Sequence, residues 1–128
     1  MPPGSSERVA EAALAEALRR LCRGGSWEGL ARELAWRAVT EGGCDPRRVD
    51  RLSEAAASML AGLIDDALWA VERSALEAWD EFLEARPDDR AGALTAASLD
   101  AGEEAERLAT AAYERVREML LEPLNRAA

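Results

Sequence analysis

The chain has 128 residues, of which 48% are hydrophobic and 32% charged, a balance typical of one globular domain that buries a core. It contains no histidine, and all 16 basic residues are arginine. Catalysis by a histidine base, a Ser-His-Asp triad or a lysine Schiff base is therefore excluded. The net charge of −9 disfavours binding to nucleic acid and to anionic membrane surfaces, since both are themselves negative.

The N-terminus, MPPGSSERVA, has neither the basic start nor the apolar stretch of a secretory signal. The longest strongly apolar run, residues 59–64, is too short to span a bilayer, which needs about 20 residues. Cys22 and Cys44 follow the ends of two separate predicted helices and do not make a disulfide framework. We therefore expect a cytoplasmic protein with free thiols, no cofactor and no membrane contact.

Two short helices are predicted in the first third of the chain. The first spans about Glu7 to Arg23 and is capped by Ser5 or Ser6, while the second follows Ser26 and ends at Gly42. Apolar residues recur in both at spacings of three and four. This period predicts amphipathic helices that each pack by one face.

A long helical hairpin is predicted over the rest of the chain. Asp45-Pro46 provides a cap and a proline at the first helical position, and no breaker other than Gly62 precedes Arg86-Pro87. The third helix therefore has about 40 residues, or roughly 60 Å, and either kinks at Gly62 or extends past its own domain. The fourth spans about Leu94 to Asn125, with a break near Gly102 as an alternative.

No segment alternates between apolar and polar residues as a strand does, so the predicted fold class is all-α. Residues 1–128 form a single domain in which helices 3 and 4 make a long antiparallel hairpin. Helices 1 and 2 are predicted to pack on one part of this hairpin, in an arrangement similar to a four-helix bundle.

A second apolar stripe marks the third helix. Trp69, Leu76 and Leu83 follow one another at intervals of seven, and Trp79 lies beside them. This interval keeps side chains on one seam of a helix. Because the two short helices are expected to cover half of the hairpin, the seam is predicted to be an interface with a second copy or another protein. Packing on both sides of helix 3 within one monomer is the alternative.

Two further features are candidates for contacts. Trp36 lies on the polar side of helix 2, one turn after Arg32, and is either a solitary surface tryptophan or a binding hot spot. Arg47, Arg48 and Arg51 lie in the first turn of helix 3, where the helix dipole disfavours cations. Either neighbouring carboxylates compensate these arginines, or an acidic or phosphate-bearing partner binds them.

Acidic residues form one motif on each long helix: Asp80-Glu81-x-x-Glu84 and Asp100-x-x-Glu103-Glu104. Together they resemble the EExxE…ExxD layout of all-α nucleotide pyrophosphohydrolases over about 25 residues, although Asp and Glu are exchanged in both halves. The resemblance implies a magnesium ion held between two helices. A helical wheel puts the first motif opposite the stripe of Phe82, and Glu103 and Glu106 opposite that of Ala105, which indicates solvated faces.

The function that the sequence favours is a non-catalytic helical scaffold, adaptor or subunit, either as a homo-oligomer or bound to another protein. Two alternatives stay open: an acidic regulator, similar to inhibitors or antitoxins, that masks a basic nucleic-acid-binding partner, and a magnesium-dependent nucleotide pyrophosphohydrolase. We predict no catalytic residue and no metal ligand. The predicted interface consists of Trp36, Trp69, Leu76, Trp79 and Leu83, and the candidate anion contacts are Arg47, Arg48 and Arg51.

Overall fold

The computed structural model describes residues 4–22 and 26–127, and these residues form four α-helices and no strand. The helices are α1 (Ser5–Leu21), α2 (Trp27–Gly42), α3 (Val49–Ala85) and α4 (Arg90–Ala127), with a short 3-10 turn, Pro46–Arg48, before α3. The predicted all-α class and the hairpin of two long helices are confirmed.

The start of α1 differs from the predicted serine cap. Gly4 occupies the capping position with a positive φ of 84°, and no side chain caps the helix there. Ser6 is buried instead, and its hydroxyl donates a 2.9 Å hydrogen bond to the carboxylate of Glu72 on α3. The helix ends at Leu21, and the predicted last residue, Arg23, lies outside the described residues. A tertiary contact, not a local cap, therefore anchors the first turn of α1.

α2 begins and ends as predicted. The hydroxyl of Ser26 accepts a 3.1 Å hydrogen bond from the backbone N–H of Gly29, which caps the first turn. At the other end, Gly43 has a φ of 72°, a left-handed conformation that glycine adopts at little cost. The N–H of Gly43 donates to the carbonyl of Val39 and closes the last turn.

α3 is one uninterrupted helix of 37 residues, about 55 Å long, so the kink considered at Gly62 does not occur. A methyl group at Gly62 would meet no described atom within 4 Å, so no neighbour forces a bend there. Leu60 and Ala67, on either side of this glycine, are buried in two different core clusters. Packing of the residues before and after Gly62 therefore keeps α3 helical through this glycine.

α4 begins at Arg90, one turn before the predicted start at Leu94, and continues through Gly102 without a break. The carboxylate of Asp89 accepts a 2.9 Å hydrogen bond from the N–H of Gly92. Asp89, which the sequence suggested was part of a polar loop, is therefore the N-cap of α4.

α1 and α2 pack on different parts of the hairpin. Arg20 of α1 pairs with Glu106 of α4, and Glu41 of α2 pairs with Arg117, eleven residues further along α4. Each half of the hairpin has its own buried cluster, the first closed by α1 and the second by α2 with the end of α1. The predicted packing of both short helices on the hairpin is confirmed, but they cover different halves of it and not one part.

Alanines of α4 form much of the buried interior where α1, α3 and α4 meet. Those buried in the cluster that α1 closes recur every four residues: Ala93, Ala97, Ala101, Ala105 and Ala109. Small side chains at this interval form a flat ridge on which neighbouring helices approach closely. Towards the end of α4, Met119 is 44% exposed, whereas the next residue, Leu120, is buried.

The solvent-accessible surface of 8185 Å² is large for a chain of this size. A compact monomer of the same mass exposes about 6,600 Å². The excess follows from a long bundle that is three helices wide, in which each helix has one side in water. Such a shape offers long exposed helix faces.

Gly92, in the first turn of α4, gives a prediction for the hairpin turn. A Cβ at this position would lie 2.5 Å from Cζ of Phe82 and would collide with the Asp89 carboxylate. We expect Gly92→Ala to lower the free energy of unfolding by about 1–2 kcal/mol, because the cap and the ring must move. Urea denaturation followed by circular dichroism measures the change.

Gly62→Ala is the matched control, since the space beside Gly62 is open. Alanine is the better helix former, so this variant should be stabilised by up to about 1 kcal/mol. Equal stability changes in the two variants would contradict the packing described at Gly92.

Candidate interaction surface

Large apolar side chains remain in water on several faces of the bundle. Among the described residues these are Trp36, Trp69, Leu76, Leu94, Leu99 and Met119. Single exposed apolar residues are common in soluble proteins, so the arrangement of neighbours decides which of them mark a binding surface.

Trp69 and Leu76, two residues of the predicted seam, share an exposed face of α3. The side chain of Trp69 is 71% exposed, and that of Leu76 is 37% exposed. Seven residues are two helical turns, so the two side chains lie about 10 Å apart along the helix axis. They form a short apolar strip on the surface of the monomer.

Trp79 and Leu83, the other two residues of the seam, are placed differently. Trp79 is 7% exposed and belongs to the buried cluster that α1 closes, and Leu83 packs partly buried against this cluster. An α-helix turns 20° per heptad relative to a strict repeat of seven. Along α3 this drift turns the seam from solvent at Trp69 towards the core at Leu83. Trp79 is not on this line: it continues the buried row of Ala67, Val71 and Ala75 at intervals of four, so it is a core residue and offers no exposed contact to the predicted interface.

Carboxylates surround the exposed strip on α3. The residues three or four positions from Trp69 or Leu76 are Asp65, Asp66, Glu72, Arg73, Trp79 and Asp80, which comprise four acids, one cation and the buried tryptophan. None of the four acids forms an ion pair with another described residue. Arg115 of α4 lines a groove together with Asp66 and adds a second cation. The four acids outnumber these two arginines, so the strip lies in a region of net negative charge.

α1 adds negative charge at the same edge. Arg8, Ala12 and Glu16 of α1 line the groove against α4. Glu7 and Glu11 are exposed and do not line that groove, and Ser6, next to Glu7, bonds to Glu72 of α3. The acidic region thus extends from α3 onto the neighbouring helix.

Trp36 stands on the outer face of α2, 44% exposed. Arg32, one turn earlier, directs its guanidinium to Asp50 of α3, with 4.0 Å between the nearest nitrogen and oxygen atoms. Trp36 therefore belongs to a different face from the strip on α3, and the structure does not bring the two together.

The three arginines near the start of α3 are split between two elements. Arg47 and Arg48 lie in the 3-10 turn, so Arg51 is the one in the first turn of α3. The guanidinium of Arg47 lies 3.1 Å from the carboxylate of Asp45. The pKa of Asp45 is below its ordinary value, first because the backbone N–H of Arg47 donates to the carboxylate and second because the guanidinium does. Asp45 therefore compensates Arg47, while Arg48 and Arg51 are exposed.

The two acidic motifs border a shallow groove between α3 and α4. Glu81, Asp100 and Glu103 line it, and Asp100 accepts a hydrogen bond from the hydroxyl of Ser74. Glu81, Glu84 and Glu103 are exposed. In the described part of the chain, no three His, Cys, Asp or Glu side chains form a group suited to hold a metal ion.

Cys22 and Cys44 are both free thiols, as predicted. The thiol of Cys22 is buried and donates to the carbonyl of Ser26 at 3.4 Å. The two cysteines flank α2, whose 16 residues span about 24 Å. They are therefore too far apart for a disulfide.

None of the described helices contains a stretch both long and apolar enough to cross a bilayer. No family model matches the sequence, and neither a curated protein nor a solved structure is detectably similar to it.

Proposed function

We propose that the chain is a non-catalytic helical scaffold or adaptor that binds a protein through the face of α3 centred on Trp69 and Leu76. The observation that carries the proposal is the 71% exposure of the Trp69 side chain. Transfer of a large apolar side chain from water into an interface contributes about 1.5–3 kcal/mol. Tryptophan is also the residue type most enriched among the few that dominate binding energy.

The rigidity of α3 supports the proposal. The helix is continuous over 37 residues and is packed by α1, α2 and α4. Because its backbone is already ordered, binding at this face requires little further loss of conformational entropy. The partner is a second copy of the chain or a different protein, and the proposal keeps the cytoplasmic location predicted from the sequence.

A charged double variant tests this function. Trp69→Glu/Leu76→Glu should keep the helicity of the unmodified chain and change its unfolding free energy by less than about 1 kcal/mol, since both side chains are exposed. The variant should lose its partner, because two carboxylates replace the apolar contacts. Affinity capture from a native cell extract with quantitative mass spectrometry measures a foreign partner, and light scattering measures self-association.

Trp36→Glu/Leu99→Glu is the matched control, with one exposed tryptophan and one exposed leucine on other faces. This control should retain the partner. Retention of every partner by the variant at Trp69 and Leu76, or equal loss in the control, would refute the proposed function.

A further inference from the structure

The charges around Trp69 and Leu76 restrict which protein can bind there. We infer that this face binds a basic amphipathic helix of another protein, whose apolar side chains contact Trp69 and Leu76. Arginine or lysine residues of that helix would pair with the surrounding carboxylates. The inference rests on the proposed function and adds the chemistry of the partner. We call the surface the acidic seam and define it as Asp65, Asp66, Trp69, Glu72, Leu76 and Asp80.

Charge complementarity is the first argument. The acidic seam contains four carboxylates, and Arg73 is the one cation within a turn of Trp69 or Leu76 on α3. Residues one helical turn apart are separated by about 5 Å along the axis, which is shorter than the screening length of about 8 Å at physiological salt. Their potentials therefore add, and Glu7 and Glu11 of α1 extend the negative region. A basic helix gains both long-range attraction and contact pairing at such a surface.

The same charges disfavour a second copy as the occupant. A two-fold dimer brings identical surfaces together, so carboxylates of one acidic seam would face carboxylates of the other. Like charges placed opposite each other across an interface cost several kcal/mol. Arg73 and Arg115, the latter beside Asp66, do not balance four acids per subunit. A partner of opposite charge is therefore favoured over self-association.

The spacing of exposed positions favours a helix as the bound element. Ala55, Gly62, Trp69 and Leu76 recur at intervals of seven on α3, and all four are exposed. The first two are small, and a Cβ at Gly62 would meet no described atom within 4 Å. A partner helix can therefore approach the backbone at Gly62 and place its own apolar residues between Trp69 and Leu76. The line extends over about 32 Å, the length of a helix of about 21 residues.

Two synthetic helical peptides of 21 residues are the probes. Both carry the same leucine positions at heptad spacing, but one has arginine at the flanking positions and the other glutamate. Fluorescence anisotropy of the labelled peptides against the full chain measures binding at two salt concentrations. We expect the basic peptide to bind at least about tenfold more tightly than the acidic one, with an affinity that falls as salt rises.

Neutral variants locate the binding site. Asp65→Asn/Asp66→Asn/Asp80→Asn should weaken the basic peptide at least about tenfold, because three flanking charges are lost. Glu103→Gln/Glu114→Gln/Glu118→Gln on α4 changes the net charge by the same amount, and all three glutamates are exposed. This control should weaken binding by less than about threefold, as a change in net charge alone acts weakly at a distance.

Several outcomes would overturn the inference. Equal weakening by both triple variants would show that net charge and not the acidic seam attracts the peptide. Equal binding of the acidic peptide, or unchanged peptide binding by Trp69→Ala/Leu76→Ala, which removes the apolar contacts without adding charge, would also refute it. If the unmodified chain were a dimer that Trp69→Glu/Leu76→Glu dissociates, the inference of a basic helix would be refuted, but the proposed function would stand. If Trp69→Glu/Leu76→Glu still captured the same partner, both the inference and the proposed function would be refuted.

Discussion

Replacing Trp79 by alanine is expected to lower the free energy of unfolding by about 3–5 kcal/mol, the cost of removing a buried aromatic side chain and leaving a cavity. The same replacement at Trp69 is expected to change it by about 0.5 kcal/mol or less. Both tryptophans lie on α3, ten residues apart, but Trp79 is 7% exposed and Trp69 is 71% exposed. Urea denaturation followed by circular dichroism at 222 nm measures both values.

The size of the loss at Trp79 follows from its neighbours. Trp79 shares a buried cluster with Ala75, Ala93 and Ala97, whose small side chains cannot expand into the vacated space. A domain of this size has a total stability of about 5–15 kcal/mol, so the variant is expected to lose a large part of it. Similar losses for the two alanine variants would contradict the assignment of Trp79 to the core and Trp69 to the surface.

Enlarging the alanine ridge of α4 is expected to be nearly as damaging. Ala101 is fully buried at the centre of this ridge, facing α1 and α3. Ala101→Leu adds three carbon atoms where helices are in close contact, and we expect it to lower the unfolding free energy by about 1–3 kcal/mol or more. Thermal and urea unfolding of the variant measure the change.

Ala111→Leu is the control for helix propensity and hydrophobicity, because Ala111 is exposed on the same helix. It should alter the free energy of unfolding by no more than about 0.5 kcal/mol. If Ala101→Leu were as stable as Ala111→Leu, this result would contradict the tight packing of α4 against its neighbours at Ala101.

The helices themselves were predictable from sequence because their signals are local. Ser26 and Gly43 delimit α2 through a side-chain cap and a left-handed backbone. Asp89 gave an equally local signal for the start of α4, but in the motif RPDDRAG it is indistinguishable from a loop aspartate. The hydrogen bond to the N–H of Gly92 is what identifies it as a cap.

The docking of α1 and α2 was not predictable because it depends on contacts between distant residues. Ser6 was interpreted as a cap, whereas its hydroxyl bonds to Glu72, 66 positions later in the chain. Arg20 and Glu106 form a comparable long-range pair. Helix length alone does not tell whether two short helices cover the same half of a hairpin or different halves.

The exposed strip was found from sequence only in part. The interval of seven identified Trp69, Leu76 and Leu83 as one line on α3, but it did not show how the 20° drift per heptad rotates this line into the core. Of the carboxylates near the strip, Asp80 was singled out from the sequence, as part of an acidic motif. That carboxylates surround the exposed indole of Trp69 could be seen only from the structure, in which α3 is continuous and α1 lies beside it.

A photo-crosslinking amino acid at position 73 tests the central claim most directly. Arg73 lies between Trp69 and Leu76 in sequence and is exposed beside them, so a benzophenone side chain there would contact whatever covers the strip. We predict that irradiation of cells producing this variant yields an adduct with a second protein chain, identified by mass spectrometry. The same side chain at Glu114, exposed on α4, should not yield that adduct. Absence of an adduct at position 73, or the same adduct from both positions, would contradict the claim that this face of α3 is the binding surface.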